Sequence, residues 1–123
     1  MSRVLIIEDN ENNMELISFI LAATGYQTLK AETGRRGYEL ALSERPDFII
    51  LDIQLPDIIG TEVVKMIRAS EVGDTIPIIA MTSFAMAGDR EKLLAAGCDG
   101  YIEKPIDPLL VVEQIKKVVG ERV

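Results

Sequence analysis

The feature that most constrains the fold is an apolar run that begins at Phe48 and ends in a carboxylate, Asp52. An apolar run of this length, followed by the turn-forming pair Leu55-Pro56, predicts a strand buried on both faces at the centre of a parallel sheet. A carboxylate at the end of such a strand is costly unless it is paired, hydrogen-bonded or bound to a metal. Because ligands bind outside the carboxyl ends of strands in open α/β sheets, Asp52 is the first candidate for chemistry.

Apolar segments alternate with helical patterns along the chain. Strands are predicted at residues 4–7, 26–30, 48–52, 76–81 and 100–102, and helices at 11–24, 34–44, after Gly60, at 87–96 and from Asp107-Pro108 onward. In the last helix we expect Asp107 to be the N-cap, and Leu109, Val112, Ile115 and Val119 to form the apolar stripe. Five strands alternating with five helices predict a doubly wound α/β sandwich, with a parallel sheet and helices on both faces.

Length and composition limit the domain organisation. With 123 residues, of which 48% are hydrophobic, the chain is long enough for one globular core. We therefore expect a single domain over residues 1–123, with no output domain. The only cysteine, Cys98, is expected to be a small buried hydrophobe, because one cysteine forms no internal disulfide.

Charge and missing residue types exclude several functions. Thirteen Lys and Arg against 20 Asp and Glu leave a net charge of -7, which opposes binding to nucleic acid or an anionic membrane. The chain has no histidine, so it lacks the commonest general base and the commonest zinc ligand. The apolar residues before Glu8 are too few for a signal peptide, and we expect a cytoplasmic protein.

Polar residues follow four of the predicted strands. In a parallel sheet, Glu8, Asp9, Asp52, Thr82 and Lys104 would meet at the same edge. Packed carboxylates repel one another, and Lys104 neutralises only part of their charge, so the arrangement favours a bound cation. Oxygen ligands suit Mg²⁺, with Mn²⁺ or Ca²⁺ as competitors. A carboxylate beside such an ion can attack phosphorus, and the pattern therefore predicts phosphoryl transfer to Asp52.

In this order the residues resemble the receiver domains of two-component response regulators, of the stand-alone type that includes CheY and DivK. The resemblance covers essentially the whole chain and rests on Glu8-Asp9, Asp52, Leu55-Pro56, Gly60, Thr82, Tyr101 and Lys104-Pro105. It implies a five-stranded sheet in the flavodoxin-like order 2-1-3-4-5.

The resemblance also implies a metal site and a phosphoacceptor. Asp52 would accept the phosphoryl group, and Asp9, Asp52 and the main-chain carbonyl of Gln54 would ligate Mg²⁺. Glu8 would act mainly through a water molecule. Gln54 and Phe84 occupy positions that, in the family, influence the lifetime of the acyl phosphate.

A switch is implied at the neighbouring strands. Thr82 and Lys104 would bind the phosphoryl group, and Tyr101 would change rotamer on activation. The bond between Lys104 and Pro105 is commonly cis in the family. Ile58 and Ile59 could contact a partner, although ordinary burial is the simpler interpretation.

The resemblance therefore implies a phosphoacceptor that signals, not an ordinary enzyme. Because the chain has no histidine, the phosphoryl donor would be a partner histidine kinase or phosphotransfer protein. The output would be a protein contact at the face of the fourth helix, fifth strand and fifth helix. We expect a monomer or a weak homodimer.

Two other classes share parts of this pattern. Haloacid-dehalogenase-like phosphatases also form an aspartyl phosphate with Mg²⁺, but their sequence pattern has a second Asp where this chain has Gln54. An amide side chain cannot serve as the general acid-base. Flavodoxin-like electron carriers need a phosphate-binding loop after the first strand. Here Glu8 and Asp9 would repel a flavin phosphate.

Overall fold

The structure is a computed structural model that describes residues 2–70, 75–83 and 87–120. Strands and helices alternate as β1 (Arg3–Ile7), α1 (Glu11–Ala23), β2 (Gln27–Ala31), α2 (Gly34–Glu44), β3 (Phe48–Asp52), α3 (Gly60–Ala69), β4 (Ile78–Thr82), α4 (Ala87–Ala96), β5 (Gly100–Glu103) and α5 (Val111–Val119). The strands form one parallel sheet in the order β2-β1-β3-β4-β5, which confirms the predicted fold. None of the helices in these ranges has the length and apolar character needed to cross a bilayer.

Two apolar layers lie on the two faces of the sheet. Because side chains alternate along a strand, Leu5 and Ile7 of β1 pack with α2, α3 and α4, whereas Val4 and Ile6 pack with α1 and α5. The central β3 is buried at every position. The edge strand β2 is more exposed, as its polar sequence predicts. Cys98 is buried as expected, and burial raises the pKa of its thiol to about 12.

The start of α5 differs from the prediction. Asp107 is not the N-cap of the helix; it closes a preceding turn, in which its Oδ1 accepts a hydrogen bond from the Leu109 main-chain N–H at 2.9 Å. The helix begins at Val111, and Val111, Ile115 and Val119 are buried. The prediction that Leu109 belongs to the core stripe is wrong, because the later start leaves Leu109 88% exposed in the turn.

Candidate functional site

The carboxyl ends of the parallel strands carry the predicted polar residues to one edge of the sheet. Asp52 and Thr82 are the last residues of β3 and β4, while Glu8 and Lys104 directly follow β1 and β5. Main-chain hydrogen bonds continue the sheet at this edge, since Glu8 N–H donates to Ala31 O at 2.9 Å and Lys104 N–H donates to Thr82 O at 2.8 Å. The backbone positions of these side chains are therefore set by strand pairing.

Three carboxylates converge at this edge. Glu8, Asp9 and Asp52 each place an oxygen within 4.8 Å of the others. Glu8 is fully buried and Asp52 is 4% exposed, whereas Asp9 lies open to solvent. The cluster thus has two desolvated carboxylates and one exposed carboxylate through which it faces water.

Lys104 is the cation of the cluster. Its Nζ lies 2.9 Å from Asp52 Oδ2 and 3.1 Å from Glu8 Oε1. Burial by itself would lower the pKa of Lys104, but the close contacts with the carboxylates of Asp52 and Glu8 outweigh this effect, and the pKa is raised. One ammonium therefore serves two buried carboxylates.

The arrangement shifts the protonation of Glu8. Burial, followed by the hydrogen bond and repulsion with Asp52, raises the pKa of Glu8 to about 7, against the opposing effect of Lys104. Although Lys104 Nζ is close, Glu8 Oε1 is a buried oxygen without a hydrogen bond of good geometry to any described residue. A buried carboxylate oxygen with so little compensation leaves room for a further cation.

The chemistry of the donor set fits a hard divalent ion. Glu8, Asp9 and Asp52 supply only oxygen donors, and their charge exceeds that of Lys104. Mg²⁺ prefers oxygen ligands and keeps several waters, which the exposed side of Asp9 would allow. These three residues are therefore the part of the described chain that could hold a metal.

The loop after β3 is held close to Asp52. Gln54 N–H donates to Asp52 Oδ1 at 3.0 Å, and Gly60 N–H donates to Ile53 O at 2.7 Å. A Cβ on Gly60 would lie 2.7 Å from the main-chain oxygen of Asp52, so only glycine permits this close approach. The loop orients one oxygen of Asp52 and leaves Oδ2 facing Lys104.

Asp57 is a residue in this loop that the sequence analysis missed. Its Oδ1 and Oδ2 accept hydrogen bonds from the main-chain N–H groups of Gly34 and Arg35 at 2.8 and 2.9 Å, which lowers the pKa of the carboxyl. Asp57 therefore caps the start of α2 from another element and ties the loop to it. No sequence signal indicated the contact, because its partners lie more than twenty positions away.

Thr82 and Tyr101 lie at different depths. Thr82 is 5% exposed at the end of β4. Tyr101 pairs in register with Ala80 and so lies behind the edge, half-buried, with the Arg90 guanidinium 5.3 Å from its ring centroid. The contact with Arg90 was not predicted. The bond between Lys104 and Pro105 is cis, as the resemblance implies, and Phe84 lies outside the described residues.

Comparisons with known proteins by family and by sequence agree with each other. Residues 4–116 match the family described as the response regulator receiver domain. The chain is 43% identical over 118 residues to the polar-differentiation response regulator DivK of Brucella anthropi, with 96% of each chain covered.

Solved structures share the fold. The receiver domain of the sensor histidine kinase PA1611 from Pseudomonas aeruginosa, which has a magnesium ion coordinated in its active-site cleft, is 34% identical, with a TM-score of 0.88 and coverage of 97% of this chain and 98% of that one. The receiver domain of Ssk1 from Saccharomyces cerevisiae, crystallised with the histidine phosphotransfer protein Ypd1, is 25% identical, with a TM-score of 0.91 and coverage of 98% and 90%.

Proposed function

Because this chain belongs to the response regulator receiver domain family of two-component signalling, we propose that it accepts a phosphoryl group on Asp52 and passes the signal to a protein partner. The observation that carries the proposal is the Asp52 carboxylate, which lies buried at the sheet edge with Lys104 Nζ 2.9 Å from one oxygen. Glu8 and Asp9 converge on the same point.

The proposed cofactor is Mg²⁺, which Mn²⁺ or Ca²⁺ could replace. Asp9, Asp52 and the Gln54 carbonyl would ligate the ion, and Glu8 would act through water. The bound ion would neutralise the carboxylates and stabilise charge on the phosphoryl oxygens. Support comes from the oxygen-only donor set and from the magnesium in the cleft of the related Pseudomonas aeruginosa domain.

In the proposed transfer, an Asp52 oxygen attacks the phosphorus of a donor phosphohistidine. A P–O bond forms, the P–N bond breaks, and the imidazole leaves with its electron pair and takes up a proton. Gln54 N–H holds Oδ1 in place during the attack. Lys104 would then pair with one phosphoryl oxygen, and the Thr82 hydroxyl would donate a hydrogen bond to another.

We propose that the added negative charge drives a conformational change at Thr82 and Tyr101. A phosphoryl group adds about 1.5 to 2 negative charges and draws Thr82 toward it. Tyr101 would then turn inward and leave the Arg90 guanidinium that now lies over its ring. This movement would change the surface formed by α4, β5 and α5, where the downstream protein would bind. Phosphorylation shifts the balance between the two states by its differential affinity for them.

The donor would be a histidine kinase or a histidine phosphotransfer protein, because the chain contains no histidine of its own. The Ssk1 receiver in complex with Ypd1 supports this class of partner. We propose that the reaction takes place in the cytoplasm, on a monomer or weak homodimer. Nucleic acid and membranes remain outside the proposal, given the net charge of -7.

A turnover enzyme of the haloacid-dehalogenase-like class is the second candidate, and position 54 argues against it. Such an enzyme needs a carboxylate there to protonate the leaving group, and Gln54 offers an amide side chain. We therefore expect at most self-phosphorylation from small donors and slow hydrolysis, so that turnover on small substrates is poor.

Intact mass after incubation with acetyl phosphate tests the proposal. The wild type should gain one phosphoryl group only with Mg²⁺, and Asp52→Asn should gain none. Asp57→Asn is the matched control, because it removes a carboxylate from the same loop and should still be phosphorylated. A gain in Asp52→Asn would contradict the proposal, as would a wild type that stays unmodified with acetyl phosphate and with candidate kinases.

A further inference from the structure

An apolar groove runs between α3 and α4 on the face of the sheet that these helices cover. Its volume is about 500 Å³, and its lining includes Ile59 and Thr61 on one side and Ala95 on the other. Two small side chains of α4, Ala95 and Ala96, are part of its lining. Ile59, for which burial was the simpler expectation, is 58% exposed beside it. Volumes of this size are typical of small-molecule sites.

The charge of the groove is opposite to that of the chain. Lys65 of α3 and Lys92 of α4 both line it, with Asp89 as the only acidic residue of the described lining. Lys65 is only loosely paired, with Nζ 3.9 Å from Glu62 Oε1 and both side chains exposed, and Lys92 makes no ion pair with a described residue. On a protein of net charge -7, two lysines facing one apolar groove favour an anion.

We propose that the groove binds a small amphipathic anion, an apolar body that carries one carboxylate, sulfonate or phosphate group. The apolar body would lie against Ile59 and Ala95, and the anionic group would pair with Lys92 and Lys65. The crevice beside Glu8 and Asp9 is a poor alternative, because it measures only about 140 Å³ and its lining is mainly acidic.

Binding in the groove is coupled to phosphorylation through Thr82. Thr82 lines the groove and also ends β4 beside the acidic cluster, so any movement of this residue changes both places. The coupling rests on the proposed role of Thr82 in phosphoryl binding, whereas the binding itself does not. An occupant and a phosphoryl group that favour different positions of Thr82 must alter one another's affinity reciprocally.

Two matched probes test the site. Anilinonaphthalene sulfonate has the required apolar body and one anionic group, and N-phenylnaphthylamine has the same body without the sulfonate. Fluorescence titration of the full chain should give one site for the sulfonate probe. Lys92→Gln should weaken the sulfonate about two- to fivefold, the effect of losing one exposed ion pair, and leave the neutral probe unchanged. Ala95→Leu, at an exposed helix position, should weaken both probes by filling the groove.

Two control variants locate the binding. Lys116→Gln removes an exposed lysine of α5, and Phe19→Ala removes an apolar side chain of α1 that is 74% exposed. Neither should change either probe. Equal affinity in Ala95→Leu and wild type would overturn the groove as the site, as would a loss in Phe19→Ala. Equal loss of both probes in Lys92→Gln would overturn the anion preference.

The coupling is tested with the phosphoryl mimic beryllofluoride and Mg²⁺. The affinity of the sulfonate probe should change at least about twofold in the wild type and stay constant in Asp52→Asn. A wild type whose probe affinity does not respond, although acetyl phosphate modifies Asp52, would overturn the coupling alone. A chain that is never phosphorylated but still binds the probe in the groove would overturn the proposed function and leave the site standing.

Discussion

The two ends of the sheet each hold a partly buried ion pair, and they compensate its charge very differently. At the amino end of the strands, Arg68 Nη2 donates to Asp99 Oδ2 at 2.8 Å, Nη1 donates to Ile76 O at 2.6 Å, and Nε donates to Gly97 O at 3.0 Å. Asp99 Oδ2 also accepts the Ile78 N–H at 2.8 Å. Among the described residues, one cation therefore meets one carboxylate, and main-chain groups also hydrogen-bond to both side chains.

At the carboxyl end, the same kind of pair is left unbalanced. Lys104 faces both Glu8 and Asp52, and Asp9 adds a third carboxylate. The buried Glu8 Oε1 lacks a well-formed hydrogen bond, and the pKa of Glu8 rises to about 7. The amino end is thus arranged for stability, whereas the carboxyl end stores electrostatic strain that a bound cation would relieve.

The largest expected effect comes from removing the ion pair at the amino end of the strands. Arg68→Ala removes the ion pair with the partly buried Asp99 and should lower the free energy of unfolding by about 3 kcal/mol. Urea unfolding measures the loss. Mg²⁺ should not restore it, because the cluster that favours a cation lies at the other end. Arg36→Ala, which removes an exposed ion pair with Glu39, is the control and should cost less than about 0.5 kcal/mol. A loss in Arg68→Ala as small as the control would remove the contrast between the ends.

The second effect concerns pH at the unbalanced end. Below pH 4.5, Glu8 is protonated in the folded and unfolded chains, so its titration does not change the free energy of unfolding. Between pH 4.5 and about 7, the unfolded chain has lost this proton while the folded chain keeps it, so stability falls as pH rises. The fall attributable to Glu8 should be on the order of 1 to 3 kcal/mol.

Glu8→Gln supplies the measurement for that prediction. The free energy of unfolding of wild type and Glu8→Gln is measured by urea unfolding from pH 4 to 8 without divalent ions. The difference between the two proteins should show the predicted slope with pH. Added Mg²⁺ should reduce the slope, because the ion favours the charged carboxylate. An identical pH profile in both proteins would show that Glu8 is not the strained group.

A smaller effect is expected at the loop that supports Asp52. Asp57→Asn keeps the shape of the side chain but removes the charge that accepts two main-chain N–H groups of α2. Hydrogen exchange at Gly34 and Arg35 should become faster, while exchange at Ile78 beside Asp99 should not change. Uniformly faster exchange would instead indicate a global loss of stability.

The smallest effect is expected at Tyr101. Arg90→Gln removes the guanidinium from the ring, an interaction worth about 0.5 to 1 kcal/mol at an exposed site. NMR shifts of the Tyr101 ring should move toward those seen with beryllofluoride, because the position of the ring beneath Arg90 loses support. Arg90→Lys keeps a cation and should move them less. Unchanged ring shifts in Arg90→Gln would show that Arg90 does not influence the position of Tyr101.

Strand ends and helix ends were not equally predictable. The polar residues Asp52, Thr82 and Lys104 could be placed from the sequence, since an apolar run followed by a polar residue marks where a strand ends and parallel pairing brings such ends together. The start of α5 could not, because Asp107-Pro108 is equally compatible with a helix cap and with the turn that the structure shows. Leu109 was misplaced for that reason.

The sequence by itself determined the alternation of strands and helices, the parallel sheet and the set of carboxylates at its edge, because periodicity and chain direction are local properties that pairing then propagates. Tertiary structure alone decided which charges are satisfied. The clamp of Arg68 on Asp99, the cap of Asp57 on α2 and the stacking of Arg90 on Tyr101 each join different elements, through side-chain directions that no local pattern encodes. Burial of Glu8 beside Asp52, and the strain that follows from it, likewise exists only when the chain is folded.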